Sequence, residues 1–187
     1  MYIIEIKDGK NKTYFCRKTL YQMGFRFRKA DKVWYLKTEE IRIPEYKEFA
    51  KEHKLICNVY KESYERDNTY RQRFFTEVKP HFHGKYFCAY CGELLFPEEV
   101  SVDHVIPVRK AKKNLFTQNL LKAMRIEDIN DIRNLAPACI YCNSKKSYKI
   151  GLWTIRGYIG KHKYFWFFVY ILFFLQILLL ITFILIW

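Results

Sequence analysis

The sequence predicts an α+β protein made of a small N-terminal α/β unit, a second domain organised by clustered cysteines, and a C-terminal hydrophobic helix. Three observations predict this class. The first 56 residues alternate strand-like and helix-like stretches, four of the six cysteines form two CxxC pairs, and residues 164–187 carry no charge. The 16 Phe, 15 Tyr and 4 Trp among 187 residues supply enough apolar surface for a packed core, which excludes a disordered chain.

The chain is strongly basic, with a formal net charge of +14. The excess is uneven, because residues 105–163 hold 13 Lys and Arg against 3 Asp and Glu. A polyanionic partner is the natural explanation for such a stretch, and a solvated basic surface is the alternative. No pattern in the chain indicates a small-molecule substrate.

Residues 1–56 predict a small α/β domain, in the order strand (YIIEIK), turn (DGKNK), short helix, two strands (FRFRK and KVWYLK) and second helix. Gly24 ends the first helix and Pro44 opens the second, as is typical of these residues. In FRFRK the phenylalanines alternate with Arg26 and Arg28, which places the arginines on the face away from the core. That face could hold a phosphate backbone, so the unit is a candidate DNA-binding accessory; a plain half-buried strand is the alternative.

Residues 57–78 are rich in charge and lack Gly and Pro, and they predict a connecting helix. We expect the second domain to cover residues 79–160. The first ten residues, MYIIEIKDGK, are charged and do not form a secretory signal, which predicts a cytoplasmic protein.

The two CxxC pairs are Cys88 with Cys91 and Cys139 with Cys142, and 47 residues separate them. Four thiolates in two such turns can form the closed tetrahedral shell of a structural Zn²⁺ site. Disulfide and redox pairs are the alternatives, and the predicted cytoplasmic setting disfavours a disulfide. Cys16 and Cys57 are left over, and we expect them to be buried thiols.

Between the CxxC pairs lies SVDHVIPVRK, which places Asp103 beside His104. Aspartate is a hard oxygen ligand suited to Mg²⁺, and neutral histidine is suited to taking a proton from water near pH 7. Adjacent residues on a strand point to opposite faces, so the pair could serve one metal and one water only if the strand bends near Pro107. Alone, this dipeptide is weak evidence, and a structural histidine is the default explanation for it.

Three segments in order, CAYCG, VDHVIP and NLAPACIYCNSKK, resemble the HNH endonuclease family, the ββα-metal nucleases, in the variant with a four-cysteine zinc site. The resemblance covers about residues 80–160. It includes LWTIRGYI, which is similar to a helix that many members carry after the second CxxC pair. The resemblance therefore implies a zinc-stapled ββα-metal domain.

The resemblance also implies a role for each motif residue. His104 corresponds to the general base, and Asp103 and Asn143 correspond to ligands of one catalytic Mg²⁺ or Mn²⁺ ion. Asn134 corresponds to the middle asparagine that ties the loop and holds the histidine, and Lys146 to a lysine that could meet a phosphate.

One departure from the family concerns the spacing of the motif. Twenty-nine residues separate His104 from Asn134, and residues 111–131 within this gap predict an added helix with basic ends. Asn130 is therefore an alternative to Asn134. The distance from Asn134 to Cys139 favours Asn134.

The activity implied is hydrolysis of DNA phosphodiester bonds, leaving a 5′ phosphate and a 3′ hydroxyl. A zinc-knuckle protein that grips nucleic acid without cutting it is the alternative from another class. An RNA-cutting enzyme also stays open, because phosphate contacts do not distinguish the two nucleic acids.

Residues 164–187 predict a helix of about 36 Å, enough to cross a bilayer core of about 30 Å. With Lys161, His162 and Lys163 at its inner edge, it would anchor the protein on the cytoplasmic face of a membrane. The alternative is a functionless product of read-through of T-rich DNA past a shortened gene. On either interpretation, we expect a chain cut after Gly160 to be soluble, bind zinc and cleave DNA as well as the full chain.

Overall fold

The structure, a computed structural model, describes residues 1–186 and divides into two compact units. The first unit combines Met1–Glu65 with Val108–Ile129. The second combines Arg66–Pro107 with the chain from Asn130 on. The predicted mixture of a small α/β unit, a second domain with a cysteine cluster and a last apolar helix is confirmed. Residue 187, the last of the predicted tail, lies outside the described residues.

The first unit is built on one antiparallel sheet with strand order β2-β3-β1-β4. The strands are β1 (Tyr2–Lys7), β2 (Arg26–Arg28), β3 (Val33–Thr38) and β4 (Ile56–Lys61). The helices α1 (Arg17–Gln22) and α2 (Ile43–Glu52) alternate with them, and 3₁₀ turns cover Thr13–Cys16, Glu40–Arg42 and Glu62–Tyr64. The strands, turn and helices predicted for residues 1–56 are all present.

Both faces of the central strand β1 are buried. Ile4 and Ile6 pack with residues of α1 and α2 in a core that includes an edge-to-face pair of Phe25 and Tyr46. On the opposite face, Glu5 accepts hydrogen bonds from Tyr60 and from Arg28. Arg28 thus lies on the predicted face, but its guanidinium is held by Glu5 and Asp31 rather than presented to a phosphate.

The structure differs from the predicted connecting helix over 57–78. Residues Ile56–Lys61 form β4, which pairs with β1 along its whole length. Cys57 and Val59 both face the core, which is the two-residue period of a strand. The charge content of this segment had predicted a helix instead. Within this range only Tyr70–Glu77 is α-helical, as α3.

The segment inserted into the motif belongs to the first unit. It forms two helices, α4 (Val108–Lys113) and α5 (Leu115–Ala123), where one added helix was predicted. The break falls at Asn114, whose side-chain oxygen accepts from the Thr117 backbone N–H and caps α5. Lys112 and Glu65 form an ion pair of 2.7 Å within this unit.

The second unit contains two short antiparallel ladders followed by helices. The ladders are β5 (Tyr86–Phe87) with β6 (Leu94–Leu95), and β7 (Ser101–His104) with β8 (Leu135–Ala138). Helices α6 (Ile140–Lys146), α7 (Leu152–Gly160) and α8 (Phe165–Ile186) follow. Phe74 of α3 packs into the core of these elements with Tyr86, Val102 and Leu135.

Helix α8 is apolar on every side, and by length and composition it could cross a membrane. Its first turns pack against the loop after the first CxxC pair. Trp166 lies so close to Gly92 that a Cβ atom there would come within 2.5 Å of the indole, and the Tyr170 hydroxyl donates to the Gly92 carbonyl at 2.9 Å. From Ile171 to Ile186 every residue is exposed.

Candidate active site and metal centre

The four motif cysteines converge on one point of the second unit. Their sulfur atoms all lie within 4.8 Å of one another, and Sγ of Cys91 is 4.0 Å from Sγ of Cys139. Zinc with four Zn–S bonds of about 2.3 Å would place the sulfurs about 3.8 Å apart, whereas a disulfide would need about 2.05 Å. The cluster therefore fits one metal ion such as zinc.

Backbone geometry explains how the cysteines meet. Cys88 directly follows β5, and the Ala89 N–H donates to the Pro137 carbonyl of β8, which brings the first pair to the second. Cys139 is the N-cap of α6, and its sulfur accepts from the Cys142 N–H at 3.4 Å. Burial raises the pKa of the Cys88 and Cys142 thiols, so a divalent cation is needed to favour thiolates at neutral pH.

Strands β7 and β8 with helix α6 form a ββα arrangement around Asp103. The Asp103 Oδ2 atom accepts from the Tyr90 hydroxyl at 2.5 Å and lies 2.9 Å from Lys146 Nζ. Tyr90 is the aromatic residue inside the first CxxC pair. It contacts α7 closely, because a Cβ atom at Gly157 would lie 3.0 Å from its hydroxyl. Tyr90 thus connects the cysteine cluster, through its position in the chain, to Asp103, through its hydrogen bond.

His104 points away from Asp103 and is buried against Tyr70, with ring centroids 4.8 Å apart. Its Nε2 atom lies 3.1 Å from Asn130 Oδ1, and the same oxygen accepts from the Asp67 backbone N–H at 3.4 Å. A backbone N–H can only donate, so the atom facing both groups is the amide oxygen and Nε2 carries the hydrogen. Nδ1 therefore keeps its lone pair, and no residue between 1 and 186 hydrogen-bonds to it.

The same surroundings keep the imidazole neutral. Burial is the main cause that lowers the pKa of His104 to about 4, and the charges of Arg66 and Lys146 add to it against an opposing effect of the Asn130 hydrogen bond. At pH 7 the ring is therefore uncharged, and its Nδ1 atom is buried without a hydrogen-bond partner among residues 1–186.

Comparison with known proteins decides the family of this segment. Residues 88–149 match the family model described as HNH endonuclease. These residues form an HNH endonuclease domain. Searches of curated proteins and of solved structures returned no match. The four clustered cysteines fit the zinc-binding variant of the family, as the sequence resemblance implied.

Within the HNH domain, two asparagines share the role that was expected of Asn134. The Asn134 amide accepts from the Ile106 N–H at 2.9 Å and donates to the Ile106 carbonyl at 3.2 Å, so it ties the loop that follows His104. The amide oxygen that accepts the hydrogen bond of the His104 ring belongs to Asn130, the alternative that the long spacing had raised.

The expectation that Lys146 meets a phosphate is corrected by the structure. Lys146 is fully buried, and its ammonium contacts Asp103 and donates to the His104 carbonyl at 2.8 Å. Burial lowers the pKa of Lys146 and raises that of Asp103, while the contact between them favours both charged forms. Lys146 thus fixes the positions of the Asp103 carboxylate and of the His104 backbone carbonyl.

Sequence reasoning missed Arg66 as a cation of the HNH site. Its exposed guanidinium lies 5.4 Å from the centroid of the Tyr70 ring, and its positive charge acts on both His104 and Asp103. No motif marks this arginine, because it precedes α3 far from the CxxC pairs. Only the packing of Tyr70 on His104 brings it to the site.

The side chains expected to hold a catalytic cation share one side of the ββα arrangement. Ser101 and Asp103 alternate onto the same face of β7, and α6 lies along it with Asn143 opposite Ser101 and Lys146 opposite Asp103. Asn143 Nδ2 donates to Ser101 Oγ at 2.6 Å, which leaves its amide oxygen as a donor atom for a metal. Carboxylate and amide oxygens are hard ligands of the kind that Mg²⁺ and Mn²⁺ prefer in proteins.

Proposed function

We propose that the HNH domain hydrolyses DNA phosphodiester bonds, with His104 as the general base and Asp103 and Asn143 as ligands of one divalent ion. The observation that carries the proposal is the buried, neutral His104, whose Nε2–H is held by Asn130 so that Nδ1 keeps a lone pair. Buried polar side-chain atoms are mostly hydrogen-bonded, and an unpartnered one calls for an explanation such as a catalytic role.

In the proposed reaction His104 Nδ1 takes a proton from a water molecule, and the resulting hydroxide attacks phosphorus. The bond from phosphorus to the 3′ oxygen breaks, and this oxygen takes up a proton from solvent to give a 3′ hydroxyl and a 5′ phosphate. A bound Mg²⁺ or Mn²⁺ would supply charge stabilisation at the phosphate and at the leaving oxygen. Arg66 is placed to attract the same phosphate from the solvent side.

Two alternatives remain to be separated by experiment. A zinc-knuckle protein that only binds nucleic acid needs the cysteines and the basic surface, but it has no use for an oriented neutral histidine that follows a buried carboxylate on the same strand. Purified zinc-loaded protein should be incubated with plasmid and with structured RNA, with or without added Mg²⁺, and the cut ends mapped. Metal-dependent plasmid cleavage is expected. Intact plasmid in Mg²⁺ and Mn²⁺ would exclude the nuclease, and cleavage of RNA alone would exclude DNA as the substrate.

We expect Asn130 to be a positioning residue for His104. Asn130→Ala removes the acceptor of Nε2–H and should lower cleavage about 10- to 100-fold, the range typical of groups that orient a functional histidine. Asn130→Asp places a carboxylate beside the ring, which favours the imidazolium and raises the pKa of His104. Because the pKa of wild-type His104 is about 4, the wild-type cleavage rates at pH 6 and pH 7.5 should agree within about twofold. The Asn130→Asp protein should cleave more slowly at pH 6 than at pH 7.5, because a larger fraction of its His104 is protonated at the lower pH.

The matched control for Asn130 is Asn68→Ala, which alters an exposed asparagine of the same unit. It should leave the rate and the pH profile unchanged. A normal rate in Asn130→Ala, or an unshifted profile in Asn130→Asp, would show that Asn130 does not act through His104.

We also propose that α8 anchors the protein in a membrane from Ile171 on. Its later residues are apolar on all sides and exposed, and basic residues and tyrosines lie before this stretch, as at a membrane interface. The packing of Trp166 and Tyr170 on Gly92 favours a functional helix over read-through, because the first turns fit the HNH domain.

Two truncations test this division of α8. A chain ending at Ile171 should stay soluble without detergent, bind zinc and cleave as the full chain does. A chain ending at Gly160 loses the Trp166 and Tyr170 contacts, so its second unit should be less stable by about 1–2 kcal/mol for a half-buried indole. Melting temperatures and flotation with anionic liposomes measure both effects. If the full chain fails to float with the liposomes, the anchor is rejected; equal melting of both truncated chains would reject the structural role of the first turns.

A further inference from the structure

A basic surface lies in the first unit, which contains none of the HNH motif residues. Between α1 and β3 an open cavity of about 370 Å³ is lined by Arg17, Lys18, Tyr21, Gln22 and Trp34. The four helical residues occupy positions i, i+1, i+4 and i+5 of α1, which form one face of a helix. The opposite face carries Leu20, which is buried in the core. Because the Leu20 side of α1 packs on the sheet, the side with Arg17, Lys18, Tyr21 and Gln22 is left to line the cavity.

Aromatic rings form the floor and one wall of this groove. Trp34 of β3 lies opposite Phe27 in the antiparallel register, with ring centroids 5.4 Å apart, so the aromatic floor extends to the edge strand β2. Tyr21 is 62% exposed and Phe27 is 46% exposed. Large rings left exposed together and rimmed by polar groups mark an interaction surface more often than single exposed residues do.

Cations surround the rings, and carboxylates are nearly absent from this part of the chain. Residues 10–37 contain nine Lys and Arg and one acid, Asp31, which is paired with Arg28. The Arg26 guanidinium lies over the Tyr21 ring at 5.0 Å, and Arg17 and Lys18 are exposed at the rim. A groove of this kind is complementary to a ligand that offers both flat rings and negative charge.

We propose that this groove binds an unpaired strand of DNA, with a base stacked on Tyr21 and Trp34 and its phosphates beside Arg17 and Lys18. The choice of DNA rests on the proposed function of the HNH domain. Duplex DNA offers the same phosphates, but its base faces are stacked on one another and closed to side chains. The aromatic floor therefore selects for unpaired nucleotides, and the cations supply the attraction.

The test measures binding separately from cleavage. Full-length protein carrying His104→Ala, kept in detergent solution without added divalent ion, is titrated against fluorescent oligothymidine and against a duplex of equal length. Tyr21→Ala should weaken single-strand binding about 5- to 100-fold, the range of one lost base–aromatic stack, and should change duplex binding less than twofold. Phe116→Ala is the matched control, since this ring is 66% exposed in the same unit but outside the groove.

Two further variants separate stacking from charge. Trp34→Phe keeps an aromatic floor and should retain single-strand binding, which also shows that the unit is folded. Arg17→Ala should reduce the slope of log affinity against log salt by about 0.7, as for one lost phosphate contact on a single strand. Equal effects of Tyr21→Ala and Phe116→Ala on single-strand binding, or tighter binding of oligouridine than oligothymidine, would each overturn the inference.

The outcome is distinguishable from failure of the nuclease proposal. If Tyr21→Ala weakens oligothymidine binding but the wild-type protein does not cut DNA, the proposal for the groove stands and the proposal for the nuclease is wrong. If the wild-type protein cuts DNA and Tyr21→Ala binds oligothymidine as tightly as the wild-type protein does, the proposal for the nuclease stands and the proposal for the groove is wrong.

Discussion

Cys139→Ser should unfold the second unit while leaving the sheet of the first unit intact. The cysteine supplies one of four sulfurs of the metal cluster and also caps α6. Structural zinc contributes about 10–16 kcal/mol of apparent binding free energy, which equals or exceeds the total stability of about 5–15 kcal/mol typical of a domain. Loss of one of the four ligands should therefore weaken zinc binding enough to unfold a second unit whose stability depends on the metal.

The measurement combines zinc content with hydrogen exchange of each unit. Wild-type protein should carry one zinc per chain, and Cys139→Ser should lose both the metal and the protection of β7 and β8. Protection of β1 and β3 should persist. Cys57→Ser is the control, because this half-buried thiol lies in the first unit outside the cluster. Wild-type protein stripped of zinc that keeps full protection in β7 and β8 would contradict a structural role for the metal.

His104→Ala should abolish cleavage while leaving DNA affinity nearly unchanged. A general base contributes about 10²- to 10⁴-fold to the rate, and removal of Nδ1 removes that contribution entirely. Affinity comes mainly from phosphates met by lysines and arginines, so it does not depend on a buried neutral ring. Cleavage of plasmid and binding of the same DNA, measured in parallel, separate the two effects.

Because His104 is buried, its truncation also leaves a cavity. His104→Gln fills most of that space without a basic ring nitrogen and should be as inactive as His104→Ala. His83→Ala changes an exposed histidine of the same unit and should cleave at the wild-type rate. Melting curves establish that each variant is folded. A folded His104→Gln protein with the normal rate would show that another group takes the proton.

Spacing alone predicted the parts of the site that depend on local sequence. Two CxxC turns present sulfurs in a fixed way wherever they occur, so the convergence of Cys88 and Cys142 followed from the pattern. The strand carrying Asp103 and the helix after Cys139 were likewise visible, because β-favouring residues and an N-cap act within a few positions. The resemblance to the HNH family added the order of these elements.

Features that depend on the path of distant segments could not be predicted. Whether Asn130 or Asn134 reaches the histidine depends on how the inserted residues return to the site, and the sequence gives only their number. The burial of Lys146 depends on α6 lying flat on β7, since a lysine near a helix end is usually solvated. In β4 the side chains alternate between the two faces of the sheet, but the many charged residues around it predicted a helix. Pairing of β4 with β1, which involves residues far apart in the sequence, explains why this segment is a strand.

The inserted helices α4 and α5 have a consequence for the order in which the protein folds. Both ends of the insertion, Val108 and Ile129, belong to the first unit, while the chain on either side of it carries the two halves of the HNH motif. During synthesis the first unit can be completed once residue 129 has emerged from the ribosome, before the second CxxC pair, Cys139 and Cys142, has emerged. Its folding then fixes a 22-residue connection whose closure as a free loop would cost about 2.7 kcal/mol from the logarithm of its length. We therefore expect the first unit to fold before the HNH domain, because the two halves of the HNH motif lie on either side of a segment that belongs to the first unit.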